Sequence, residues 1–265
     1  MSRRWALGAG LAIVTLWLAA ALTWPYFAPY DPFTDDILAV LEAPSSRHWF
    51  GTDLLGRDVF SRVVAGSSEI LLAAPAAAVL GVLIGSVLGL LMGYYGGVAD
   101  TLLGRLLDAL RAVPLVLLAL LALVALGPSM LNVVIVIGLA FAPIVAQAVR
   151  VAVQTERRLE YVDAARLRGE SSLHIMFAEI LPNVRGPILV ETTLRFGFAI
   201  FAIAGLSFLG FGLQPPSPNW GATIAENYPL IGAGYWWVVA FDALAIASLV
   251  IGVHLVAENL AGEPR

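Results

Sequence analysis

Six stretches of apolar residues, each long enough to cross a lipid bilayer as a helix, constrain this chain more than any motif within it. A bilayer core about 30 Å thick needs about 20 helical residues, and inside it every backbone N–H and C=O must find its partner within the protein. The stretches run roughly over residues 5–27, 70–93, 106–126, 130–153, 187–211 and 235–257. They predict an all-α integral membrane protein with six transmembrane helices. Composition agrees, with 60% hydrophobic and 13% charged residues, where a soluble domain carries about 25% charged. The first stretch also invites a signal-peptide reading, with Ala19-Ala20-Ala21 as the cleavage site. Its apolar run outlasts the roughly 7 to 15 residues of such a region, so it is read as a span.

All fifteen basic residues are arginine, and their placement predicts orientation. With a cytoplasmic N-terminus, that side receives Arg3, Arg4, Arg105, Arg150, Arg157, Arg158, Arg166, Arg168, Arg185 and Arg265, while the other receives Arg47, Arg57 and Arg62. This positive-inside bias puts both termini, and the polar loop between the fourth and fifth spans, in the cytoplasm. The expected organisation is a first span with an extracytoplasmic segment over 1–68, then a five-helix core over 69–265 with the polar loop at 156–185.

Several chemistries are excluded by residue type. Without cysteine there are no disulfides, thiol nucleophiles or zinc-thiolate sites. Without lysine there is no Walker A loop, so if ATP drives this protein, another chain hydrolyses it. His48, His174 and His254 are far apart in the chain, so no metal site is expected. No zinc-protease HExxH motif or serine–histidine pairing supports an intramembrane enzyme.

The second span carries Gly81, Gly85, Gly89 and Gly93 at intervals of four, and Gly97 continues the register. A ridge without side chains lets a neighbouring backbone approach closely, either as a tight crossing within the subunit or as a helix that tilts during gating. Charges inside the spans are the clues to a pathway. Glu191 and Arg195, four apart on the fifth span, pair on one face, and Asp242 lies within the sixth. Either Glu191 merely neutralises Arg195 near the interface, or Arg195 or Asp242 faces a water-filled route and meets a substrate terminus or cation. Trp220, Tyr235, Trp236 and Trp237 are expected in the aromatic belt. The segment 30–68, rich in proline, aspartate and aromatics, reads either as an ordered surface layer that meets a substrate-delivering receptor or, equally, as a lid that braces the helix ends.

The polar loop predicts two short helices. Tyr161, Ala164, Ala165 and Arg168 recur at helical spacing, giving a face centred on two methyl groups that a partner can approach closely. Gly169 is placed to end that helix in a left-handed conformation. Ser171 or Ser172 then caps a second helix with an apolar stripe of Leu173, Met176, Phe177, Ile180 and Leu181, interrupted at Pro182. By periodicity alone this is equally an ordinary hairpin resting on the membrane surface.

Asp163-Ala164-Ala165, Gly169 and Leu181-Pro182 resemble, in residue type and spacing, the EAA loop of permease subunits in binding-protein-dependent ABC importers. Further segments resemble the dipeptide, oligopeptide and nickel branch of that family. These are residues 48–62 (HWFGTDLLGRDVFSR), Tyr94-Tyr95-Gly96-Gly97 with Asp100, Arg105, Asp108 and Pro114, and residues 206–216 (LSFLGFGLQPP) followed by Pro218, Trp220 and Gly221. Asp163 stands where the family often has glutamate, and Glu179 where an apolar residue or histidine is common. The resemblance implies a multi-pass permease subunit in a bacterial or archaeal plasma membrane, forming half of the pathway for peptides, nickel or a related solute. It implies coupling to the ATPase through Tyr161, Asp163, Ala164, Ala165, Gly169, Leu181 and Pro182. It also implies a homologous second permease subunit, two ATP-binding subunits holding ATP and Mg, and an extracytoplasmic binding protein. This chain itself would bind no cofactor and no nucleic acid. The alternative is a self-contained secondary transporter that uses Glu191, Arg195 and Asp242 as ion-coupling groups, for which transport would persist without any ATPase.

Overall fold

The computed structural model describes residues 3–261, so Arg265, counted in the arginine bias, and the rest of the tail at 262–265 lie outside the described residues. The described residues contain no β-strand, only an isolated bridge between Thr52 and Asp58. The helices are α1 (Arg3–Phe27), α2 (Val59–Tyr95), α3 (Gly97–Ala112), α4 (Leu115–Leu126), α5 (Met130–Glu156), α6 (Glu160–Leu167), α7 (residues 172–183), α8 (Arg185–Phe208), α9 (Trp220–Asn227) and α10 (Trp237–Ala261). Five of them, α1, α2, α5, α8 and α10, are each long and apolar enough to cross a membrane.

The third expected span is broken. α3 and α4 meet at an 88° bend, and only as a pair do they make a sixth candidate span. Val113 is extended (φ −88°, ψ 127°) immediately before Pro114, because the proline ring clashes with a helical residue ahead of it. At 1.5 Å per residue α4 is about 18 Å long, well short of a bilayer core.

α2 is longer than expected. It starts at Val59, where the Asp58 carboxylate accepts from the Ser61 N–H at 2.8 Å and caps the first turn. The division expected at 68/69 therefore falls inside a helix. The added turns hold Ser61, Arg62 and Ser67, all buried; Ser61 and Arg62 hydrogen-bond with the 28–58 segment, and Arg62 also with Thr223 of α9.

The centre of the fold is the crossing of α2 and α5. A Cβ on Gly81 would lie 2.7 Å from the Gly138 oxygen, on Gly85 2.6 Å from Val145 Cβ, on Gly89 2.7 Å from the Ala146 oxygen, and on Gly93 2.6 Å from Val153 Cβ. No real side chain fits such gaps, so the four glycines set the distance between the two backbones. Gly97 lies beyond this ridge: it opens α3 at φ +54°, with nothing near it. A second close crossing joins the periphery, where Gly10 of α1 meets Gly252 of α10 and the Trp17 indole donates to Ser248 Oγ at 2.9 Å.

Two of the expected belt tryptophans are core residues. Trp220 and Trp237 are buried, and their indole N–H groups donate to the Val63 oxygen at 2.9 Å and the Thr52 oxygen at 3.1 Å. Of the four expected belt residues, Trp236 alone is exposed.

Gly89→Leu forces several side-chain atoms into a gap that a single Cβ already overfills, and overpacking of this kind costs about 1–3 kcal/mol or more. We expect it to lower the yield of monodisperse protein and its unfolding temperature in detergent. Gly8→Leu, at a position with open space around it, should leave both unchanged.

Candidate functional site

The polar loop folds as a hairpin seated on the α2–α5 pair. α6 ends in the motif that its glycine predicts: Gly169 is left-handed at φ +78°, its N–H donates to the Arg166 oxygen at 3.0 Å, and the Glu170 N–H reaches the Ala165 oxygen at 3.2 Å. Ser171 Oγ accepts from the His174 N–H at 3.2 Å and starts α7. From Ile175 to Ile180, α7 is a π-helix, a rare form that is frequent at functional sites. Pro182 lacks the N–H that an α-helix would send to residue 178.

One face of the hairpin is buried. Val162, Ala165, Ile175, Met176, Ile180 and Val184 form a single apolar cluster with Leu90 and Tyr94 of α2 and Val145, Val149 and Val153 of α5. The expected pair of approachable methyl groups is thereby split, with Ala164 exposed and Ala165 buried. The expected stripe on α7 is split too. Met176 and Ile180 face the bundle and Leu181 is half-buried, while Leu173 and Phe177 are exposed. The outer face therefore presents Asp163, Ala164, Arg166, Leu167, Leu173 and Phe177, with Gly169 and Pro182 also exposed.

Polar contacts fasten the hairpin at its base. The Arg157 guanidinium donates to the carbonyl oxygens of Gly93 at 3.2 Å and Tyr94 at 2.6 Å, satisfying groups at the C-terminal end of α2 and opposing its dipole. Arg150 reaches Asp100 of α3 at 2.6 Å. The Tyr161 hydroxyl donates to Glu156 Oε2 at 2.8 Å. Burial, reinforced by that carboxylate, pushes the Tyr161 phenol up to about 12. Asp163 accepts from Arg166 of its own helix at 2.9 Å, an exposed pair.

The three charges singled out within the spans occupy two separate places. Arg195 is buried on α8 beside Glu191 at 3.2 Å, with its guanidinium 5.6 Å from the Phe141 ring centre and 5.1 Å from that of Phe198. Nearby Gly197 faces His254 of α10. Asp242 lies twelve residues before His254, about 18 Å along the helix, and is buried with neither carboxylate oxygen hydrogen-bonded.

Asp242 shares its end of the bundle with a charged cluster that the sequence reading placed in a surface layer. Arg62 donates to the Pro32 oxygen at 2.9 Å and to the Pro216 and Ser217 oxygens at 3.3 Å, and lies 3.7 Å from Asp53. Arg57 holds Asp53 at 2.7 Å and Glu226 at 3.3 Å. His48 pairs with Asp58 at 2.9 Å. Glu69 of α2 accepts from Ser217 and from Asn219, the latter at 3.3 Å. The one sequence signal for this packing was the i,i+4 pair Asp53/Arg57 beside a helix-capping aspartate.

The profile of a protein family described as "Binding-protein-dependent transport system inner membrane component" matches residues 85–262. The chain is 40% identical over 257 residues to the di/tripeptide transport system permease protein DppC of Pseudomonas aeruginosa, covering 95% of this chain and 84% of that protein. It is 39% identical over 259 residues to the glutathione transport system permease protein GsiD of Pectobacterium atrosepticum, covering 96% and 84%. Among solved structures, a chain from inward-facing conformations of the MetNI methionine ABC transporter superposes with a TM-score of 0.60 at 17% identity, over 76% of this chain and 94% of that one. That likeness shows the shared fold.

In an alkaline titration, the phenolate absorbance lost in Tyr161→Phe, taken as wild type minus variant, should appear with a midpoint near 12 instead of the ordinary value of about 10. A midpoint near the ordinary value would mean that the Tyr161–Glu156 contact does not hold the base of the hairpin.

Proposed function

Since this chain belongs to the family of binding-protein-dependent transport system inner membrane components and is the permease subunit of an ABC importer, we propose that it carries short peptides and is driven through its 156–185 hairpin. Family membership decides against a self-contained secondary transporter. The named cargoes of its relatives, di- and tripeptides and glutathione, support a peptide cargo over nickel or a chelate. On this reading ATP is hydrolysed in two partner subunits. A homologous second permease supplies the other half of the pathway, and an extracytoplasmic binding protein delivers the peptide at the end capped by residues 28–58. Both termini and the hairpin then lie on the cytoplasmic side of a bacterial plasma membrane, as the arginine bias expects.

One observation carries the coupling role: the hairpin has a buried face continuous with α2 and α5 and an outer face that mixes charge with exposed Leu167, Leu173 and Phe177. A solvent-facing loop has no need of such an apolar patch, whereas a surface that seats in a partner does. Closure of the ATPase pair would press on Asp163, Ala164, Leu167 and Phe177. The force would reach α5 through Ala165, Met176 and Ile180. Gly169 allows the turn between the two helices, and Pro182 ends the second before α8. Along the pathway, Arg195 is the group suited to a peptide carboxylate, with Glu191 holding it in place. Asp242 is the candidate for a peptide ammonium near the capped end.

The absence of native cysteine makes crosslinking direct. In the assembled transporter, Ala164→Cys should crosslink to an engineered cysteine on the ATPase in a nucleotide-dependent way, and Ala165→Cys should not. Failure of capture at Ala164 in every nucleotide state would overturn the coupling role. Arg195→Ala should raise the KM for peptide uptake about tenfold or more, since a charge-assisted hydrogen bond is worth about 1.5–3 kcal/mol. Unchanged uptake in both Arg195→Ala and Asp242→Asn would remove these groups from the pathway.

A further inference from the structure

The three histidines are scattered in sequence and predict no metal site, yet the hairpin gathers two glutamates around one of them. Ligand atoms of Glu170, His174 and Glu179 all lie within 4.8 Å of one another. His174 Nε2 and Glu170 Oε2 face each other at 3.6 Å, too far for a hydrogen bond, and the buried Glu170 Oε2 takes part in no hydrogen bond. Two ligands on a tetrahedral zinc ion, with bonds of about 2.0–2.2 Å, stand about 3.4 Å apart. The gap therefore has the width of a bridging metal.

The π-helix is what completes the group. In an α-helix, residues five apart such as His174 and Glu179 point about 140° away from each other. The i→i+5 closure of the π segment over Ile175–Ile180 returns Glu179 toward the face of His174. Arg168 donates to Oε1 of Glu170 at 2.7 Å and to Oε1 of Glu179 at 3.3 Å. It thus holds both carboxylates through their Oε1 atoms, as outer-shell partners of ligating carboxylates do, and leaves Glu170 Oε2 for an ion. With Arg168 present, a dication brings the cluster from a net charge of −1 to +1.

We propose that Glu170, His174 and Glu179 bind a divalent transition-metal ion of the zinc type, with water completing the coordination. An imidazole with two carboxylates suits such an ion better than magnesium or calcium, which take oxygen ligands. Occupancy ties the residue that follows the Gly169 turn to the far half of α7, stiffening the hairpin. The site stands on these side chains alone and is independent of the cargo.

The full-length, tag-free chain in detergent, titrated with Zn2+ against a chromophoric chelator in excess Mg2+, should show one saturable site. Glu170→Gln, His174→Ala and Glu179→Gln should each weaken it at least about tenfold, since even outer-shell changes cost 10–100-fold. His254→Ala should not. Zn2+ should also slow amide exchange over residues 170–180 in the wild type and not in Glu179→Gln. Absence of a saturable site, or affinity unmoved by all three substitutions, would identify the cluster as an ion-pair network only and overturn the proposal.

Discussion

The structure depends on the approach of two backbones, α2 and α5, across a ridge of four glycines. In a bilayer the surrounding lipid is as apolar as a leucine side chain, so helices gain little from burying apolar surface and associate through close packing. Glycine carries a conformational cost in a helix, and α2 accepts it four times to bring its backbone against α5. The residues met by that ridge have a second duty. Val145, Val149 and Val153 lie against Gly85, Gly89 and Gly93 respectively, and the same valines form the apolar cluster that seats α6 and α7. The crossing and the hairpin are therefore one packed unit.

The opposite end is held by a different interaction. There the 28–58 segment, the start of α2, the 214–219 turn, α9 and α10 converge on buried charge, with Arg57 and Arg62 distributing hydrogen bonds to carbonyl oxygens and carboxylates from several segments. Removing one partner from such a network leaves an uncompensated buried charge, which is far more damaging than losing an exposed pair. The fold thus combines a charge-clamped cap with a glycine-spaced, hydrocarbon-packed shaft. Asp242 stands at the boundary of the two, with both oxygens free of hydrogen bonds.

Features governed by local chemistry were legible in the sequence. The period of four glycines gave the close helix face, and Gly169 gave the left-handed end of α6, because each follows from the residue's own steric freedom. Features set by tertiary context were not. Apolarity over 106–126 predicted a single straight span, but Pro114 acts on the residue before it and turns the chain by 88°. Trp220 and Trp237 read as belt residues because indole suits an interface, yet their N–H groups are bound by carbonyls from distant segments. The apolar stripe on α7 presumes α-helical spacing throughout, whereas Ile175–Ile180 is a π segment, and Met176 and Ile180 are buried while Leu173 and Phe177 are exposed. The polar start of α2 read as loop because nothing local shows that the 28–58 segment will bury Arg62.

The central claim is that the hairpin moves as a rigid extension of the α2–α5 pair. Spin labels on Ala178→Cys of α7 and Val151→Cys of α5, both at exposed positions, report that link directly by electron–electron double resonance in the assembled transporter. The account predicts a narrow distance distribution that stays in place when ATP is added, even as distances from α7 to the partner permease change. A distribution that shifts or broadens with nucleotide would mean that the hairpin flexes on its own, contradicting the transmission of force through the valine cluster.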